Sequence, residues 1–155
     1  MKSMIVYEMC YPDETAGAAG IVCVPLDYGY LEEYRKIYND CFYEMRRALG
    51  INPVNVYVDS DDLKDKLCNV YILLDDNSSI IGAVSCYGNE IDDLIVRKVS
   101  QGKGYGRQLL LWAIQRIRQE NKAPITLHVA QWNARAVALY RQMGFAITKK
   151  EKINP

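Results

Sequence analysis

Gly102, Gly104 and Gly106 alternate through a short loop that follows an apolar, β-branched run (residues 91–96) and leads into a helical pattern from Arg107 to about residue 120. A glycine-rich loop between a strand and a helix N-terminus lets several backbone N–H groups turn towards one point. The helix dipole adds partial positive charge there. The chemistry on offer is anion binding, with a phosphate or pyrophosphate as ligand. The nucleotide P-loop spacing is absent. The sequence Gly102-Lys103-Gly104-Tyr105-Gly106 also breaks the G-x-G-x-x-G register of dinucleotide-binding loops. What remains is Gln101-x-x-Gly104-x-Gly106-Arg107, a spacing that a tight turn without any ligand would also show.

A second motif stands downstream in the run NARAVALYRQMGF (133–145). Asn133 is a helix N-cap type, and Ala136, Leu139 and Tyr140 fall on one helical face. Gly144 ends the helix in a left-handed cap. Residues 125–130 before it read as a strand. Together the two motifs resemble the signatures of the GNAT superfamily of N-acetyltransferases. These are an acetyl-CoA pyrophosphate loop of the form [Gln/Arg]-x-x-Gly-x-[Gly/Ala] and the pattern Asn-x-x-Ala-x-x-Leu-Tyr-x-x-x-Gly-Phe. The resemblance covers residues 72–145 well and the N-terminal half in outline.

The resemblance implies transfer of an acetyl group from a thioester to an amine. It places Gln101, Gly102, Lys103, Gly104, Tyr105, Gly106 and Arg107 around the acetyl-CoA pyrophosphate. It assigns the Leu94 N–H to the thioester carbonyl and the Val96 backbone to pantetheine. Asn133 either bonds pantetheine or only caps its helix. Tyr140 matches the residue that lies near the thioester sulfur and can protonate the departing thiolate. Full transfer from a tyrosine (~10) to a thiolate (~8.5) is uphill by about 2 kcal/mol unless the site tunes it.

Attack needs a neutral amine. A lysine-like amine is about 0.1% neutral near pH 7.4, a deficit of roughly 4 kcal/mol. A carboxylate base on the strand before the glycine loop therefore matters. Glu90, Asp92 and Asp93 are the candidates, Glu90 matching the glutamate base of the histone-acetyltransferase branch. All three are also what a solvated hairpin end would carry. Strand alternation places Glu90, Asp92, Leu94 and Val96 on one face. The sole histidine, His128, is a candidate base, but it lies mid-strand, out of phase with Leu127 and Val129, and reads first as structural. Trp112 reads as helix core; Trp132, beside Asn133, could line the cleft but reads first as core packing, and the tyrosines of the first helix (Tyr28, Tyr30, Tyr34, Tyr38, Tyr43) could wall an acceptor pocket but read first as amphipathic packing.

The surrounding elements follow from periodicity. Strands are expected at residues 4–10, 21–25, 70–74, 80–87 and 90–98. A long amphipathic helix is expected over 27–49, closed by Gly50, and a short one over 61–68 capped by Ser60. Three strands in a meander, then helix, strand, helix and strand, give an α/β fold: a GNAT-like mixed, mainly antiparallel sheet with helices packed on both faces. The given sequence stops at Pro155, shortly past Phe145, whereas the family usually carries a further strand after the one that begins at Gly-Phe. The C-terminal strand is thus expected to be short, missing or supplied by a neighbour. The longer N-terminal segment (4–20) is expected either to occupy the vacant edge or to cover the acceptor site. Residues 51–62 are expected to shape the acceptor pocket.

Length and composition fit one domain, residues 1–155, with 50% hydrophobic and 25% charged residues. Nineteen basic residues balance 19 acidic ones, which argues against nucleic acid as a partner. No apolar run suits a membrane span, and the N-terminus lacks signal-peptide shape. Cys10, Cys23, Cys41, Cys68 and Cys86 are scattered and form no metal-ligand pattern, which fits reduced thiols in a cytoplasm and no metal. The overall expectation is a cytoplasmic acetyl-CoA-dependent N-acetyltransferase acting on a primary amine of a small molecule. The alternatives are an acetyltransferase of protein or peptide N-termini or lysines, and a non-catalytic CoA-binding regulatory module. A homodimer through the C-terminal edge is the partner expectation beyond the acceptor itself.

Overall fold

The parting of two neighbouring strands organises this molecule. A computed structural model describes residues 3–55, 57 and 59–154. Its strands are β1 (Met4–Tyr11), β2 (Val24–Pro25), β3 (Val70–Leu74), β4 (Ile80–Tyr87), β5 (Glu90–Val96), β6 (Ile125–Ala130) and β7 (Ala146–Ile153). They form one seven-stranded sheet in the order β2-β3-β4-β5-β6-β1-β7. Every pairing is antiparallel except β5–β6. That parallel pair holds only at Glu90↔Thr126 and Ile91↔Leu127. Beyond Ile91 the two strands separate, and β6 keeps its hydrogen bonds with β1 alone.

Helices cover both faces. Helix α1 (Leu31–Ala48) follows a 3-10 turn at Tyr28–Tyr30 capped by Asp27. It buries Leu31, Tyr34 and Tyr38 against Val70, Ile72, Ile80, Ala83 and Ile95. Helix α2 (Tyr105–Glu120) buries Leu109, Leu110, Ala113, Ile114 and Ile117 on the other face, against Met9, Val84, Ile91, Leu127 and Val129. Helix α3 (Ala134–Gln142) closes on the same side through Tyr140. Each such aliphatic burial contributes about 1.5–3 kcal/mol. Gly82 is required where α2 meets the sheet: a Cβ there would lie 2.6 Å from the Ile95 carbonyl oxygen and 2.8 Å from Leu109 Cδ1.

Several boundaries differ from the sequence reading for local reasons. The short helix is a 3-10 turn, Ser60–Lys66, and its capping box is Asp59 with Asp62, not Ser60. Helix α2 starts at Tyr105, because Gly104 itself is the N-cap in the left-handed region. Within the segment 51–62, Val56 and Val58 lie outside the described residues.

The strand that opens after Phe145 is full length, eight residues. The N-terminal strand β1 does not take an outer edge; it lies inside the sheet, antiparallel to both β6 and β7. The α3 crossover from β6 to β7 leaves a gap one strand wide, and β1 fills it. A strand following β7 through a hairpin would fill the same gap in the same sense. Met4 and Ile153 are register partners, so a two-residue hairpin suffices to join them. A permuted chain that carries residues 3–11 after residue 154 should therefore melt cooperatively, close to the wild-type temperature. A molten or aggregated permutant would show that β1 needs its native connection. The loop after β1 runs along α2, tied by Gly20 N–H to Gln108 Oε1 (2.6 Å) and by Arg118 Nη2 to the Asp13 carbonyl (2.7 Å).

Candidate active site

The parted strands open a cleft of about 800 Å³. Its walls come from β5 (Asp92, Asp93, Leu94, Val96), the loop and start of α2 (Gln101, Gly102, Gly104, Tyr105, Gly106, Arg107), β6 (His128, Val129, Ala130) and α3 (Asn133, Tyr140). Tyr38, Cys41, Phe42 and Met45 of α1 close one side, and Met4 and Val6 of β1 reach in. Two sequence candidates stand outside these walls: Lys103 is exposed on the loop, and Glu90 sits behind His128.

The glycine loop is a braced turn. A 3-10 turn at Lys98–Ser100 follows β5. Arg97 Nε donates to Ser100 Oγ (2.7 Å), and Arg97 Nη2 to Asp75 Oδ2 (3.2 Å) in the β3–β4 turn. Gln101 Nε2 donates to the Val96 carbonyl (2.9 Å), which also accepts from Cys41 Sγ (3.2 Å). Gly102 and Gly104 have φ of +78° and +88°, and a Cβ at either would meet nothing within 4 Å. No side chain caps α2, so its first N–H groups face open space.

Strand β5 does not alternate as expected. Ala83 pairs Ile95 while Ser85 pairs Asp92, so one residue is bulged out, and Asp93 adopts φ +46°. Ile91, Leu94 and Val96 consequently pack on the α2 side and Ile95 on the α1 side. The expectation that Glu90, Asp92, Leu94 and Val96 share a face fails at this bulge. Arg97 N–H donates to the Ile81 carbonyl (2.8 Å) in β4; by strand alternation the Val96 N–H points the other way, into the splay, while its carbonyl is already engaged by Gln101 and Cys41.

Asp93 is fixed by a buried network. Lys66 Nζ lies 3.0 Å from its Oδ2, with side-chain exposures of 20% and 11%. Tyr38 donates to Oδ1 at 3.2 Å. The Lys66 ammonium also lies over the Tyr38 and Tyr57 rings, 5.6 and 5.3 Å from their centroids. Burial pulls Lys66 towards the neutral form, but the Asp93 charge and the hydrogen bonds from this cluster outweigh it and hold the lysine above its usual range. Lys66→Met leaves Asp93 buried without a cation and should lower unfolding free energy by about 3 kcal/mol. Adding Asp93→Asn should recover much of that loss, read by urea denaturation of the double-mutant cycle. A loss below about 1 kcal/mol would mean the pair behaves as an ordinary surface ion pair.

Asp92 faces the cleft. It is solvent-exposed, yet partial desolvation by the surrounding walls, followed by the neighbouring Asp93 charge, raises its carboxyl above the ordinary aspartate value. Tyr140 is only 8% exposed; burial first, then Asp92 and Asp93, hold its hydroxyl well above the ordinary tyrosine value. The phenol therefore stays protonated and can donate. Asn133 accepts from the Ala136 N–H (3.2 Å) as the cap of α3 and also lines the cleft. Burial, reinforced by Asp40, pushes the Cys41 thiol up to about 11, which makes it a poor nucleophile.

Besides Tyr38, two more residues that read first as packing or structural belong to this site. Trp132 is 48% exposed and lines the cleft. His128 also lines it; Nδ1 lies 3.2 Å from Glu90 Oε1 and Nε2 lies 3.6 Å from Glu8 Oε1. The phase of His128, opposite to Leu127 and Val129, was the available signal. No metal-ligand cluster of His, Cys, Asp or Glu exists among the described residues, and no described helix is long and apolar enough to cross a membrane.

Comparison with known proteins accords with this architecture. No curated protein matches the sequence. An acetyltransferase of the GNAT family from Colwellia psychrerythraea superposes with a TM-score of 0.72 at 9% identity, over 98% of this chain and 56% of that one. A GCN5-related N-acetyltransferase from Sphaerobacter thermophilus gives 0.68 at 16% identity, over 100% and 53%. PaiA N-acetyltransferase from Thermoplasma acidophilum, solved in complex with coenzyme A, gives 0.69 at 16%, over 86% and 99%. The chain thus spans only about half the length of the first two. The sequence profile of the Acetyltransferase (GNAT) family matches residues 30–145, and with the splayed β5–β6 pair and the glycine turn at α2 this shows that the chain belongs to the GNAT family of acetyltransferases.

Proposed function

We propose that this protein transfers the acetyl group of acetyl-CoA to a primary amine of a small molecule. One observation carries the reading: the open splay between β5 and β6 holds an uncapped, braced glycine turn at one end and the protonated Tyr140 hydroxyl in the same cleft. The residues present fit the cosubstrate. Gly102 and Gly104 leave free space beside left-handed backbone, so the α2 amides would hold a pyrophosphate. Lys103 and Arg107 flank that turn with positive charge.

Bound there, acetyl-CoA supplies an activated acyl thioester. The bulge at Asp93 places Leu94 on the cleft wall, where its N–H would donate to the thioester oxygen as negative charge develops. The Val96 N–H would donate to pantetheine as an added strand's partner does, and Asn133 lies within the same wall. Tyr140 would donate to the departing sulfur. Because its hydroxyl is held above the usual range, complete proton transfer costs more than the ~2 kcal/mol of an unperturbed pair; a hydrogen bond to the developing thiolate is the part that aids the reaction. The carboxylates Asp92 and Glu90 make the other end of the site anionic and suit a cationic amine that must lose a proton.

The small-molecule assignment is supported by the α1 wall (Tyr38, Cys41, Phe42, Met45), which limits the cleft on that side. The test is a competition assay in which small alkylamines and short peptides with a free N-terminus or a lysine share one pool of acetyl-CoA. The small amines are expected to be acetylated with the larger kcat/KM. Preferred acetylation of a peptide would replace this reading with protein or peptide acetylation.

A further inference from the structure

We propose that His128 takes the proton from the acceptor amine, with Glu90 orienting its ring and Glu8, supplied by the inserted strand β1, stabilising the charge that forms. The inference rests on the acetyl-transfer reading above and refines its base. The alternation of β6 sends Ile125, Leu127 and Val129 into the α2-side core and leaves His128 on the opposite face. It is the first residue of β6 past the last β5–β6 pair, Ile91↔Leu127, and so stands where the strands part. Glu8 is its direct register partner on β1. Glu90 projects from the strand on its other side.

The two contacts differ in kind. Nδ1 to Glu90 Oε1 at 3.2 Å is a hydrogen bond, whereas Nε2 to Glu8 Oε1 at 3.6 Å is a charge contact without one. In the neutral ring the proton therefore sits on Nδ1, donated to Glu90. Nε2 keeps its lone pair. A nucleophile's partner base held by a carboxylate on its far nitrogen is the general arrangement for proton removal. The charged groups about the ring are Glu90 and Asp92 on β5, Glu8 on β1 and Glu151 on β7; Lys149 nearby is paired with Glu151 at 2.6 Å. Glu44 and Arg46 share the cleft from α1, and Arg107 and Arg135 enter it from α2 and α3.

The proton account closes. The ammonium of the acceptor gives one proton to Nε2, directly or through one water. The neutral nitrogen forms the C–N bond to the acetyl carbon, the C–S bond breaks, and the second nitrogen proton ends on the departing sulfur, towards which Tyr140 donates. The imidazolium returns its proton to solvent.

His128 is the single histidine of the chain, so its ring signals in an NMR titration need no assignment. The experiment compares that titration with the pH dependence of kcat/KM for a small alkylamine, in wild type, Glu8→Gln and His128→Gln. The wild-type rate should inflect at the NMR midpoint. In Glu8→Gln, loss of a neighbouring negative charge should move midpoint and inflection down together. His128→Gln should lose ~10²-fold or more at pH 7 and regain rate as the amine ionises by itself. Calorimetry with acetyl-CoA checks that each variant keeps its cleft; if His128→Gln does not fold, the joint shift in Glu8→Gln decides alone. A rate inflection that stays put while the NMR midpoint moves would overturn the proposal and leave Glu8, His128 and Glu90 as solvated cross-strand charges. Wild type that binds acetyl-CoA yet acetylates no amine would instead overturn the acetyl-transfer reading, and this one with it.

Discussion

Tyr140→Phe should bind acetyl-CoA as tightly as wild type and turn over ~10²–10³-fold more slowly, the range seen when one donor to a developing charge is removed. The substitution keeps the ring. Tyr140 packs 6.0 Å from Phe145, centroid to centroid, in the α2-side core, so the fold should not register the change. What is lost is one hydroxyl held protonated by burial and by the Asp92 and Asp93 charges. The loss should appear in kcat rather than in acetyl-CoA affinity, because the thiolate exists only as the C–S bond breaks. Its size should shrink with thioesters whose thiol is more acidic, since a better leaving group needs less help. Steady-state kinetics with calorimetry reads both quantities. Full activity in Tyr140→Phe would move the donor to water and return Tyr140 to packing.

Gly104→Asp should abolish measurable acetyl-CoA binding while the protein still folds. Two effects add. Gly104 sits at φ +88°, where a side chain costs about 1–2 kcal/mol, although aspartate is among the residues that tolerate this region. The larger effect is electrostatic. The new carboxylate would stand at the N-cap of α2, in space that is open now. There it would accept from the same N–H groups that a pyrophosphate needs and repel its charge. An aspartate at an N-cap stabilises a helix, so part of the backbone strain is offset and melting temperature should change little. Gly106→Asp is a second probe from the first turn of α2. Its Cβ would meet Leu139 Cδ2 at 3.7 Å, an ordinary contact. Unchanged affinity in both variants would remove the loop from the binding site.

Those two residues were legible from the sequence because their signals are local. Glycine spacing before a helical pattern and an Asn-to-Gly-Phe helix are each read within a dozen residues, and the sheet with helices on both faces follows from periodicity. The failures share a cause, which is long-range geometry. Asp93 at φ +46° is a non-glycine residue in a region that residue type does not announce, so the bulge that turns Leu94 and Val96 to the α2 side could not be seen in alternation. Lys66 and Tyr38 meet Asp93 from segments 27 and 55 positions away, and no local pattern links them. His128 was in the right phase to face away from the core, but its partner Glu8 is 120 residues distant by position and becomes a neighbour only because β1 lies between β6 and β7. For Trp132 the sequence offers both core packing and, from its place beside Asn133, a cleft position; the structure puts it on the cleft rim.

The measurement closest to the central claim is a product-resolved turnover assay. Wild-type protein is mixed with acetyl-CoA and a primary alkylamine, and thiol release and N-acetylated product are quantified together by mass spectrometry. The account predicts amine-dependent thiol release matched one to one by N-acetyl product, lost in Gly104→Asp and slowed ~10²–10³-fold in Tyr140→Phe. Tight acetyl-CoA binding with no amine-dependent product across small amines and peptides would contradict it and identify the cleft as a CoA-binding site without turnover.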